Sequence, residues 1–143
     1  MVWSICVALS LLFQQETVAS FRVTNFSVNG ETLDNVALKA DQILAFYMCN
    51  DNTLCFSNNM RARNSQSYGG VNNLETDERP ETANTYKAVT FKFLWNYYNT
   101  YNSGKGNAVV EFTKIYMPTV VKFTCTMTIL DDNSIVVFKG YQE

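Results

Sequence analysis

Cys49 and Cys55 bracket the segment CNDNTLC, Cys125 sits in the middle of VKFTCTMTI, and acidic side chains gather at Asp131 and Asp132 and across Glu75 to Glu81. These are the groups that could act as nucleophile, base or metal ligand, and their setting argues against each role. The chain has no histidine, so Ser-His and Cys-His nucleophile pairs are excluded and the commonest zinc ligand is missing. The acidic groups lie in turn-like sequence, whereas an acid and base pair needs a cleft that separates two pKa values. DDNS at 131–134 lacks the ligand spacing and the glycine of an EF-hand loop. No catalytic residue, metal site or cofactor is expected, and the chain reads as a non-enzymatic binding protein.

The cysteines instead report a compartment. Five residues rich in Asn and Asp separate Cys49 from Cys55, enough to reverse the chain and bring the two Cα atoms within disulfide range. Cys125 alternates with threonines and lysine on an apolar face, which predicts a buried free thiol. At the N-terminus, an apolar run from Trp3 to Phe13 precedes the polar QQETVAS. This is the anatomy of a secretory signal peptide over residues 1–20, cut after Ser20. The run is too short for a bilayer, which needs roughly 20 apolar residues, so no integral membrane segment is expected. A secreted, extracellular or lumenal protein follows, with residues 21–143 as a single domain. The sequon NFS makes Asn25 a candidate glycosylation acceptor. The formal net charge is −2 with basic residues scattered, the opposite of the clustered Lys and Arg that bind nucleic acid.

The elements that must position these groups are strands. Val89, Phe91, Phe93, Trp95 and Tyr97 alternate with Thr90, Lys92, Leu94 and Asn96, a two-residue period. NSGKG at 102–106 supplies a turn, Ala108 to Phe112 resumes the pattern, Val121 to Ile129 repeats it, and Ile135 to Tyr141 follows DDNS. Four strands joined by short turns make an antiparallel meander. Phe21 to Val28 predicts a further strand ending at the NG turn of Asn29 and Gly30. Val36 to Met48 fits two strands or one short helix, and the tight turn that follows favours strands. Residues 61–86, polar with few large apolar groups, predict a long loop that is mobile or binds a partner.

The segment CNDNTLC and the closing stretch GKGNAVVEFTKIYMPTVVKFTCTMTILDDNSIVVFKG together resemble the ML lipid-recognition family. Tubular lipid-binding and lipocalin-like proteins are more distant resemblances of similar ligand class. The resemblance implies an all-β fold, an immunoglobulin-like sandwich of two antiparallel sheets that part to admit a lipid or other small apolar ligand. The same alternating faces can close as a dry core or stay apart around a ligand. Phe91, Phe93, Trp95, Val121, Phe123, Met127 and Ile129 are the expected lining, because large or flexible apolar groups tolerate a cavity. The competing expectation is a packed sandwich that binds an extracellular protein through loop 61–86 with Tyr98 and Tyr101.

Overall fold

A computed structural model describes residues 17–143, so most of the proposed signal peptide lies outside the described residues. Its last four residues, 17–20, begin the first strand. The elements run β1 (Thr17–Val28), β2 (Glu31–Thr32), α1 (Asp34–Ala40), β3 (Gln42–Met48), β4 (Leu54–Met60), β5 (Ser65–Arg79), β6 (Lys87–Asn99), β7 (Lys105–Tyr116), β8 (Val121–Ile129) and β9 (Ile135–Gln142). From β3 onward each strand pairs antiparallel with the next. β1 pairs with β3 along Thr17 to Arg22 and with β9 along Phe21 to Val28, which closes an eight-stranded barrel. Among the described residues no helix is long and apolar enough to cross a membrane.

The all-β, antiparallel expectation stands, but a single sheet closed on itself replaces the two-sheet, immunoglobulin-like sandwich. The long strands β1 and β5 to β7 can curve round a barrel. Two irregularities help: the register shifts between Val23 and Asn25 in β1 and between Asn72 and Glu75 in β5, and such bulges bend a strand and sharpen its twist.

Two other expectations are corrected. Val36 to Met48, for which strands were favoured, is the end of α1 followed by β3. The helix stops because Asp41 adopts the left-handed conformation (φ 52°) and its N–H caps the carbonyls of Ala37 and Leu38. Ala37 and Ala40, on one face of α1, are buried. The long loop expected at 61–86 is mostly β5, a 15-residue strand paired with β4 through Ser65 to Gly70 and with β6 along most of its length. A short 3-10 turn at Arg61–Arg63 precedes it. β5 escapes the periodicity test because its inward positions near β4 are small and polar. Gly69 is required there, since a Cβ would come within 1.7 Å of the Asn96 carbonyl oxygen.

Cys49 and Cys55 are bonded, with Cα atoms 6.0 Å apart, in the turn between β3 and β4. That turn marks one end of the barrel, and its interior is filled by Phe21, Phe46, Phe56, Phe93, Phe112 and Phe123. Phe112 stacks on Phe123 at 5.2 Å and meets Phe21 edge-on at 4.7 Å, favoured aromatic geometries. This half is a plug.

Cys125 is a free, buried thiol whose register partner is Phe138. Burial pushes its pKa well above that of an ordinary cysteine, which suppresses the reactive thiolate. Protein cut after Ser20, and so without Cys6, is expected to resist iodoacetamide at pH 8 in its native state, with a single carbamidomethyl adduct at Cys125 only after denaturation under non-reducing conditions. Rapid modification of the folded protein would show that this face opens.

Candidate ligand cavity at the open end of the barrel

Beyond the plug the interior is not filled. A cavity of about 620 Å³ opens at the end of the barrel that carries the turns after β4, β6 and β8, within the 300–1,000 Å³ typical of ligand sites. Its position follows from the alternation of side chains along each strand. On β8 the inward series Phe123, Cys125, Met127, Ile129 runs from plug to mouth, and on β9 Phe138 and Val136 run the same way. The aromatic filling gives way to Met, Ile and Val as the barrel approaches its mouth.

The two sides of the cavity differ. β1, β8 and β9 contribute an apolar wall of Phe26, Met127, Ile129, Val136 and Phe138, in which Phe26 and Phe138 stack at 5.1 Å. β4, β5 and β6 contribute Asn58, Ser67 and Asn99. Trp95 forms the floor, its indole N–H donating to the Phe56 carbonyl (3.0 Å) and the Gly69 carbonyl (3.2 Å), and Tyr97 packs 4.9 Å from it. The indole is thereby held against β4 and β5 with its polar atom satisfied. At the polar wall Gln42 Nε2 donates to Asn58 Oδ1 at 2.8 Å, and Ser67 Oγ donates to Asn99 Oδ1 at 2.5 Å. The Gln42 side-chain oxygen is buried without a partner. Arg63, Gln66 and Tyr101 stand at the rim.

An external ion-pair cluster fixes the turn from α1 into β3 close to the mouth. Asp41 accepts from Arg22 at 2.6 Å and from Arg61 at 3.0 Å, and Arg22 also meets Glu143 at 3.1 Å. The Arg61 and Arg22 hydrogen bonds hold the Asp41 carboxyl below its usual pKa. A carboxyl lowered in this way stabilises the fold above the ordinary Asp pKa of about 4, and that contribution is lost as pH falls below it.

Of the residues expected to line a pocket, Trp95, Met127 and Ile129 do so. Phe93 and Phe123 do not reach the cavity and belong to the plug, Phe93 packing on Phe46 and Phe56 and Phe123 on Phe112. Phe91 lies at the other end of the barrel in a cleft of about 140 Å³ with Leu74, Val18 and Leu54. Val121, at the start of β8, lines neither space. Sequence reasoning missed Phe26, Tyr97, Val136 and Phe138, which carry the two-residue period of their strands, and it missed the whole polar wall. The inward phase of Phe56, Asn58 and Met60 was the signal for Asn58, but a polar residue in a strand reads as solvent-facing.

Asn25 is exposed on the outer face of β1, with its side-chain nitrogen 3.2 Å from an Asp34 carboxylate oxygen. Tyr98 packs against Tyr68 on the outside of the barrel, and Tyr101 is 65% exposed at the mouth. Of the expected loop, residues 61–64 and 80–86 lie outside β5: the first group sits at the mouth with Tyr101, the second at the opposite end of β6. No three His, Cys, Asp or Glu side chains among the described residues form a group able to hold a metal. Comparison with protein-family models, characterised proteins and solved structures finds no match to this chain.

Proposed function

We propose that the protein is a secreted, non-enzymatic carrier of a lipid or other small apolar ligand, held in the open half of the barrel. The observation that carries this is the contrast between the two halves: aromatic rings fill one end, while a 620 Å³ space with an apolar wall remains at the other. Eight-stranded barrels are just wide enough to be filled by side chains or to hold one small ligand, and here side chains fill one end while the other stays open. In architecture the chain is nearer to lipocalin-like barrels than to an immunoglobulin-like ML sandwich, and both resemblances imply the same ligand class. The N-terminal leader pattern and the Cys49–Cys55 bond support secretion. A protein-binding role through residues 61–86 with Tyr98 and Tyr101 has less support, because β5 absorbs most of that segment and the remainder is split between the two ends of the barrel, 61–64 near Tyr101 at the mouth and 80–86 at the other end.

Protein secreted from eukaryotic cells is expected to release a lipid on organic extraction and mass spectrometry. An apolar ligand present at 100 times its Kd should stabilise the fold by about 2.7 kcal/mol through mass action. Ile129→Trp, at a half-buried position of the apolar wall, should fill the space and weaken binding at least about tenfold, at a cost below the roughly 1–3 kcal/mol of an overpacked core. In a fully packed barrel the same substitution carries that full cost and has no binding to abolish.

A further inference from the structure

The polar groups of the cavity are unevenly divided, and the division names the end group of the ligand. Asn58 and Asn99 both commit their carboxamide oxygens to neighbours, accepting from Gln42 and Ser67. Each retains an amino group with two N–H donors. Neither amino group has an acceptor among the described residues, and neither is closed off from solvent, the Gln42 oxygen being the one buried unpaired side-chain atom. Asn58 and Asn99 both line the cavity, so these donors are available at its polar wall. The rim adds Arg63, which takes part in none of the ion pairs that hold Arg22 and Arg61. Among the described residues no Asp or Glu lines the cavity; the acidic turn after β8, Asp131 and Asp132, borders Tyr97 from outside it.

One wall thus offers N–H donors and a positive charge, and the other offers only apolar contact. A carboxylate is acceptor-only, with two oxygens that can take several donors, and hydrogen bonds to an ionised acceptor are roughly twice as strong as neutral ones. A ligand ammonium would find no anion on the lining itself, Asp131 and Asp132 standing outside it in the β8–β9 turn. An alcohol would use the donors without drawing on Arg63. On the premise that the cavity is the ligand site, we infer that the ligand is a carboxylate-bearing amphiphile. Its chain lies against Met127, Ile129, Val136 and Phe138, and its carboxylate lies on the side of Asn58, Asn99 and Arg63.

Four ligands with one chain and different ends test this: dodecanoate, methyl dodecanoate, dodecanol and dodecylammonium, each displacing a neutral apolar fluorescent dye at pH 8. Dodecanoate is expected to bind about tenfold or more tighter than the ester and the alcohol, with the ammonium weakest. Arg63→Gln, at the exposed rim, should weaken dodecanoate several-fold and leave the ester unchanged. Asn99→Asp keeps an oxygen for Ser67 but places a carboxylate on the polar wall, and should reverse the order so that the ammonium binds best. Equal affinities for all four ligands, or an Arg63→Gln protein that treats acid and ester as the wild type does, would overturn the end-group assignment while leaving an apolar cavity in place. Failure of the dye and of all four ligands to bind would overturn the cavity as a ligand site.

Discussion

Phe112→Ala is expected to lower the free energy of unfolding by about 3–5 kcal/mol, the cost of deleting a large ring from a core that collapses only partly. Phe112 is fully buried. It stacks on Phe123 and meets Phe21, Phe46 and Phe56 with ring centroids 4.7, 5.2 and 6.1 Å away. Removing it takes contact from four other rings at once, which places the cost at the upper end for a single truncation. Against the 5–15 kcal/mol that holds a domain together, the variant should be close to the limit of stable folding. Val136→Ala provides the comparison. Val136 is half-buried beside a space that already exists, so its truncation should cost about 1 kcal/mol. Urea unfolding followed by tryptophan fluorescence measures both, and similar costs at the two sites would show that the plug and the mouth are packed alike.

Gly140→Ala is expected to be worse still, with a loss above about 4 kcal/mol and little folded protein recovered. Gly140 lies on β9 between Val23 of β1 and Phe123 of β8, at the seam where the barrel closes. A Cβ there would stand 1.8 Å from the Arg22 carbonyl oxygen and 3.0 Å from a ring carbon of Phe123. The oxygen belongs to backbone, so relief requires β1 to move away from β9, and that motion opens the barrel. Gly30→Ala separates this effect from ordinary glycine loss. Gly30 has φ +84° in the turn after β1 but nothing within 4 Å of a Cβ, so the substitution should cost only about 1–2 kcal/mol of backbone strain. Circular dichroism and thermal melting of the two variants compare them directly, and a Gly140→Ala protein that melts like Gly30→Ala would remove close approach at the seam as a condition of closure.

β6, β7 and β8 were legible because each repeats apolar side chains every second residue, and β9 because an apolar run follows the DDNS turn. Closure was not legible, since the same period serves a sandwich and a barrel, and what distinguishes them is which strand edges meet. The pairing of Phe26 with Phe138 and of Val28 with Val136 joins residues more than a hundred positions apart, and nothing local announces it. β5 was hidden for a different reason. Its inward positions near β4 carry Ser and Gly because they border the polar wall and the close approach to β6, so the apolar signal of a strand is absent where it should be strongest. Within the site, Phe123 and Met127 occupy the same face of β8 and look equivalent in sequence. One belongs to the plug and the other to the cavity because the neighbouring strands supply phenylalanines at one level and smaller or polar groups at the next.

Methyl and backbone NMR of the protein titrated with dodecanoate tests the central claim most directly. A ligand in the open half of the barrel predicts saturable shifts of the Met127, Ile129 and Val136 methyls and of the Trp95 indole N–H, with Phe112, Phe123 and the Cys49–Cys55 turn little changed. Saturable shifts confined to outer-face residues such as Tyr68 and Tyr98, or no saturable shift with dodecanoate or its ester, would contradict it.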